Sequence, residues 1–269
     1  MNVVKRMVAG RTGPCRASRC RARSHRLVEI AEPGREAWTE TMGESMGETM
    51  MMRQLEPEVM DDPAQADAYA AADFSAENQG FVDRFRDYFP DFSQGQVFDL
   101  GCGPGDIPIR FARAFPACRV VGIDASRPMV ELAERAVAAA TLSDRITILC
   151  QRFQDLPGER QADAVISNSL LHHLPNPLQF WQKLRFLVKP GSPVLVMDLL
   201  RPESPEAAQA IVDRYAPGAS EILRRDFYHS LLASFTEDEV ASQLARMNLT
   251  RLLLDVPDDR HWVVGGIVY

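Results

Sequence analysis

Three glycines fall within five positions, Gly101, Gly103 and Gly105, in the stretch VFDLGCGPGDIPIRFA that runs from an apolar segment into a helix-like one. Without a Cβ, Gly101 and Gly103 can take positive φ and let the backbone approach a ligand, and Gly105 permits a tight turn into a helix beginning near Asp106. Two carboxylates extend this cradle. Asp99, two residues before the first glycine, would repel a pyrophosphate but suits a ligand that carries an ammonium group. Asp124 ends the next apolar run, RVVGID, and is placed to accept both hydroxyls of a ribose. The dinucleotide fingerprint G-x-G-x-x-G sets its third glycine one residue later than the G-x-G-x-G found here. A ribose-binding acid, however, serves more than one class of nucleotide cofactor.

Such a turn binds ligands when it lies at the carboxyl end of a strand in an open sheet, and the surrounding pattern supplies that frame. Apolar runs at 97–100, 119–124, 145–149, 162–167 and 193–200 alternate with amphipathic stretches. Their stripes are Ile107, Phe111, Ala114 and Phe115; then Met129, Leu132, Ala133, Ala136 and Val137; then Phe180, Trp181, Leu184, Leu187 and Val188. This alternation predicts an α/β fold, a Rossmann-like doubly wound sheet covered by helices on both faces. Two helices precede it, DPAQADAYAAADF and SAENQGFVDRFRDYF, the second with Phe81, Phe85 and Phe89 on one face. A helical insertion at about 203–235 reads as a lid. The final segments LTRLLLDV and HWVVGGIVY read as a β-hairpin that brings an antiparallel strand into a seven-stranded sheet.

Taken in order, VFDLGCGPG, VVGIDAS with Met129, and AVISNSLLHHL resemble the class I S-adenosylmethionine-dependent methyltransferases of small-molecule type, over roughly residues 75–269. The resemblance implies S-adenosyl-L-methionine as cofactor. Gly101, Cys102 and Gly103 would pack on its methionyl part, Asp99 would hold its amino group, and Asp124 its ribose. Ala125 and Met129 would flank the adenine, and Ser167 and Asn168 would lie beside the methionyl backbone or the substrate. After strand three the family often carries an Asp followed by a small apolar residue. This chain has Arg152 and Phe153 there, so Phe153 is the candidate to stack on adenine, and the exocyclic amine falls to a backbone carbonyl or Gln154.

The same resemblance puts His172 and His173 where an acceptor approaches, one of them a candidate for proton handling or orientation. Adjacent residues on a helix point roughly 100° apart, so the two are not expected to serve one site. Tyr228 is a further catalytic candidate, and Tyr69, Arg201 and Arg225 are candidates for substrate binding. Arg225 and Tyr228 share a side of the lid, where arginine could hold an anionic acceptor. Asp198 and Arg201 also read as a plain salt bridge. Cys102 reads as a small buried neighbour of the cofactor, with nothing nearby in sequence to make it a nucleophile.

Composition narrows the rest. The chain carries a net charge of −7, yet residues 1–35 hold nine Lys and Arg against Glu29 and Glu32 only, so residues 36–269 are strongly acidic. Nucleic acid is therefore not an expected partner of the body, and no apolar run approaches the ~20 residues of a membrane span. The expected partner is a small-molecule methyl acceptor. A tRNA or rRNA methyltransferase using the basic arm, or a non-catalytic protein keeping the fold, are the alternatives. Five scattered cysteines fit a reducing, cytoplasmic setting. Cys15 and Cys20 make half a zinc site with no second pair, so no metal is expected. Residues 1–55 lack hydrophobic periodicity and read as a disordered Arg-rich leader, a targeting peptide, or a stretch ahead of a start at Met50, Met51 or Met52. The folded domain is expected over 56–269.

Overall fold

The computed structural model describes residues 51–56, 59–159 and 161–269. The Arg-rich stretch with Cys15, Cys20 and Met50 lies outside the described residues. Two helices lead in, α1 (Pro63–Ala71) and α2 (Ser75–Tyr88). The sheet then builds as β1 (Gln94–Leu100), α3 (Asp106–Ala114), β2 (Ala117–Asp124), α4 (Arg127–Ala139), β3 (Ile146–Cys150), β4 (Ala164–Asn168), α5 (Pro177–Leu187) and β5 (Ser192–Leu199). Helices α6 (Pro205–Tyr215) and α7 (Glu221–Ala233) form the insertion after β5. The last elements are α8 (Glu237–Arg246), β6 (Leu253–Asp255) and β7 (His261–Val268).

The seven-stranded sheet runs β3-β2-β1-β4-β5-β7-β6. Its first five strands are parallel, and β7 runs antiparallel to both β5 and β6. The strand order reverses between β1 and β4, and the glycine turn leaves β1 at that reversal. Side chains alternate across the sheet as strand geometry requires. Phe98, Val165, Val194 and Val264 join one core with Trp181, Leu184 and Leu244. Their neighbours Val97, Ile166, Leu195 and Val263 join the opposite core with Phe81, Phe85 and Phe111. On that second face Phe85 contacts the rings of Phe89, Phe92, Phe111 and Phe115 at centroid distances from 4.9 to 5.6 Å, which fixes α2 against α3. On the first face the buried Trp181 indole donates to Gln243 Oε1 at 2.8 Å, so α5 and α8 meet without an orphaned N–H.

A third, smaller core holds the insertion in place. Leu199, Ala208, Ile211, Val212, Leu231 and Leu232 pack together, with Met51, Phe227 and Tyr228 against them. Both insertion helices start on serine caps, Ser204 and Ser220, each accepting from the backbone N–H three residues on. The residues from Met51 on pack with the body, on both sides of the boundary expected at residue 55. Gln54 N donates to Leu232 O at 3.0 Å, and Ser126 Oγ to Met60 O at 2.7 Å. Among the described residues, no helix is long and apolar enough to cross a membrane.

Candidate active site

The three glycines meet different demands. All have positive φ, at 76°, 51° and 89°. A Cβ on Gly101 would strike the Leu170 side chain at 2.9 Å, and one on Gly105 would press on Ala133 at 3.0 Å, so both serve close packing. A Cβ on Gly103 would meet nothing within 4 Å. That position faces open space, as a ligand cradle requires. Gly103 N donates to Asp124 Oδ2 and Ser126 N to Asp124 Oδ1, each at 2.9 Å. The Asp124 carboxylate is thereby held in place while each oxygen keeps a lone pair for a ligand hydroxyl. Burial nevertheless raises its pKa, against those same hydrogen bonds.

Beneath the loop, Asp99 is 1% exposed and its Oδ2 has no partner. Burial, then the Asp124 charge, pushes its pKa to about 8. Asn168 Oδ1 and Gln151 Nε2 are also buried without partners. Native interiors rarely leave such atoms unsatisfied. Two orphaned acceptors and one donor around a loop open at Gly103 fit a ligand that brings an ammonium group and further polar atoms, as S-adenosylmethionine would.

A cavity of about 1080 Å³ opens above this floor, just above the usual range for one small-molecule site. Cys102, Gly103, Asp124, Ala125, Met129, Phe153 and Asn168 line it, together with the aromatic Tyr69, Phe74 and Phe227. The Tyr69 and Phe74 rings sit 4.8 Å apart. Burial, with Asp124, Asp198 and Asp106 nearby, pushes the Tyr69 phenol to about 12, so it stays a donor. Phe153 reaches the cavity from within the core, its ring edge-on to Phe180 at 5.8 Å. The Cys102 thiol is pushed well up by burial and by Asp99 and Asp124, which agrees with a packing role.

The polar end of the cavity departs from the sequence reading. His172 and His173 stand on a single 3-10 turn, Leu171–His173, and their rings lie 4.1 Å apart. Both face one carboxylate: Glu56 Oε1 is 3.3 Å from His172 Nε2 and 3.1 Å from His173 Nδ1. The expectation that neighbouring histidines must diverge fails because the turn ends there and Glu56 arrives between them. On the other side, His172 Nδ1 lies 2.5 Å from Asp198 Oδ1, and His172 N donates to Asp198 Oδ2 at 3.0 Å. Burial alone would lower the His172 imidazole, but Asp198 and Glu56 outweigh it and raise it. Burial would raise Asp198, and the His172 charge and hydrogen bond hold it below the usual range instead. Glu56 is raised by burial against the pull of His172 and Ser230.

Arg53 braces the histidine turn. It donates to the carbonyls of Ala233, His172 and Leu174 and lies 4.0 Å above the Phe235 ring.

Five expected site residues are not on the cavity wall, and the first is Asp99, buried beneath the glycine loop. Ser167 is 1% exposed and donates to Leu100 O at 2.7 Å, tying β4 to β1. Arg201 pairs with Glu239 at 2.7 Å and donates to Ser234 O; its expected partner Asp198 is engaged by His172. Arg225 is exposed and pairs with Asp226, and Tyr228 packs on the insertion core. On α7 the residues lining the cavity are Leu223, Asp226, Phe227 and Ser230, a face offset from the one that carries Arg225 and Tyr228. Sequence reasoning missed Arg53, Glu56, Met60 and Gln151. The first three sit in a methionine-rich stretch with no periodicity, where only long-range packing gives them a role.

Residues 97–191 match the family model described as a methyltransferase domain. A demethylmenaquinone methyltransferase of Lactiplantibacillus plantarum is 30% identical over 115 residues, 42% of this chain and 48% of that protein. Another of Porphyromonas gingivalis is 27% identical over 168 residues, 61% of this chain and 68% of that protein. Apart from such longer matches, the chain spans about half the length of the curated relatives it matches. Among solved structures, the plantazolicin methyltransferase BpumL, bound to a triazolic desmethyl analogue and SAH, shares the fold. Its TM-score is 0.59 at 13% identity, over 75% of this chain and 90% of that one.

Proposed function

The chain belongs to the class I S-adenosylmethionine-dependent methyltransferases, and from that premise we propose that it methylates a small-molecule acceptor seated in the cavity between the glycine floor and the His172–His173 turn. The observation that carries this reading is the buried, unpartnered Oδ2 of Asp99 below a loop open at Gly103. A carboxyl in that state is an incomplete site, and a ligand ammonium completes it. Relatives named for demethylmenaquinone and plantazolicin support the small-molecule class.

S-adenosylmethionine would supply a methyl group already activated on a sulfonium. The chain's residues have the simpler tasks of alignment and exclusion of water. Asp99 and Asn168 orient the amino-acid end, and Asp124, fixed by two backbone N–H groups, takes the ribose. Ala125, Met129 and Phe153 border the adenine. Tyr69, Phe74 and Phe227 cover the reacting centre with aromatic surface, and the acceptor's nucleophilic atom faces His172 and His173.

Calorimetry with S-adenosylhomocysteine, followed by incubation of small-metabolite extracts with methyl-labelled S-adenosylmethionine, tests the reading. One binding site per chain and a labelled small product are expected. A folded chain that binds no S-adenosylhomocysteine, or that labels RNA but no small product, would overturn it.

A further inference from the structure

The trio Glu56, His172 and His173 has the form of a three-ligand metal site with one position left open. One ligand atom from each lies within 4.8 Å of the others. Two of the separations, 3.3 and 3.1 Å to Glu56 Oε1, match the spacing of about 3.3 Å between ligands arranged tetrahedrally around a zinc ion with bonds of about 2.0–2.1 Å. The tautomer is set for it. Asp198 accepts at Nδ1 of His172 and from the backbone N–H groups of His172 and Leu199, so the carboxylate remains an acceptor and Nδ1 carries the proton. The Nε2 lone pair is then directed at Glu56, the carboxylate–histidine arrangement that orients metal ligands. Ser230 Oγ, 3.1 and 3.4 Å from the two oxygens of Glu56, fixes the third ligand. Arg53, the nearby cation, directs its donors to the carbonyls of Ala233, His172 and Leu174, leaving Glu56 to the histidines.

We propose that Glu56, His172 and His173 bind one divalent transition-metal ion, of the kind that favours imidazole and carboxylate together. Three protein ligands leave a coordination position, and both histidines line the large cavity, so that position opens where an acceptor would lie. Its chemistry suits an acceptor oxygen, which the ion would hold and make more acidic. The acceptor assignment rests on the proposed methyl transfer; binding of the ion does not.

The test is a titration of the untagged full chain, stripped with a chelator, with Co²⁺ followed by Zn²⁺. One Co²⁺ per chain is expected, with a visible absorption band that Zn²⁺ abolishes. X-ray absorption of the Zn²⁺-loaded wild-type chain should show two imidazoles and no sulfur. Glu56→Gln and His173→Ala should each weaken binding tenfold or more. Asp198→Asn, which keeps all three ligands, should weaken it 10–100-fold. S-adenosylhomocysteine binding, retained in each variant, reports an intact fold and stands or falls apart from the metal. The proposal is overturned if the wild-type chain takes up no Co²⁺, if its spectrum shows thiolate ligation, or if variants that keep S-adenosylhomocysteine binding hold Co²⁺ as tightly as wild type. In those cases the trio is joined by protons alone.

Discussion

The two ends of the cavity are built on opposite plans. The glycine floor comes from a continuous stretch, Asp99 to Gly105, with Asp124 and Asn168 added from the adjoining strands, and it leaves polar atoms unpaired. The histidine end draws on Arg53, Glu56, His172, His173, Asp198 and Ser230, from well-separated places in the chain, and its groups pair closely with one another. The unpaired groups of the first end cost local stability. The second holds the N-terminal segment, β5 and α7 together, so the groups proposed to face an acceptor also maintain the fold.

If that contrast is sound, the largest change in stability comes from the histidine end. Asp198→Ala leaves a buried imidazole without its main partner and two backbone N–H groups without an acceptor. Breaking one partner of a buried charged pair costs about 3–5 kcal/mol, a fall in Tm of roughly 10 °C for a chain of this size. Thermal unfolding should show that loss while S-adenosylhomocysteine affinity stays within a few-fold. A Tm unchanged by the substitution would erase the distinction between the two ends.

The floor should behave in reverse. Gly103→Val places a branched side chain in the open space above the loop, and S-adenosylhomocysteine affinity should fall a hundredfold or more, about 3 kcal/mol. The fold itself should lose only about 1–2 kcal/mol, the cost of a left-handed conformation in a residue with a Cβ. Calorimetry beside a melting curve separates the two numbers. Undiminished binding in this variant would remove the loop from the site.

Asp99 adds a dependence on pH whose sign follows from its raised pKa. With a value of about 8, the carboxyl is mostly protonated at neutral pH in the free protein, and a ligand ammonium favours its ionised form. Binding therefore releases a proton. S-adenosylhomocysteine affinity should rise about tenfold per unit as pH increases toward 8 and then level off. Calorimetry at pH 7 in buffers of different ionisation enthalpy should register that proton, and Asp99→Asn should flatten the dependence. A flat profile in the wild-type chain would mean that Asp99 is ionised before the ligand arrives.

The contrast also explains what could be read in the residues beforehand. Strand and helix alternation, the order of the parallel strands' connections and the glycine loop are local patterns, and the seven-stranded sheet follows them. The positions of Asp99, Gly103 and Asp124 at the strand ends and in the loop were legible because strand-end geometry ties them to neighbours in sequence. Glu56 carried no such mark: it lies 116 positions before His172 and meets the histidines only when the segment packs on the body. His172 and His173 were visible as chemistry, but their shared direction depends on a 3-10 turn closing at His173, which no periodicity announces.

The smallest effect belongs to α7, where the pattern of charge pointed the wrong way. Arg225 and Tyr228 share a helix face, but the cavity takes the neighbouring one, through Leu223, Asp226, Phe227 and Ser230. Arg225 is more than half exposed and pairs with the adjacent Asp226, a kind of contact worth little in water. Arg225→Ala should shift Tm by no more than about a degree and leave the acceptor KM unchanged. Phe227→Ala, two residues further along and on the cavity face, should raise that KM. A rise in KM with Arg225→Ala alone would show that α7 turns about its axis when the acceptor binds, bringing the outer face inward, and the histidine end would then be less rigid than its pairing implies.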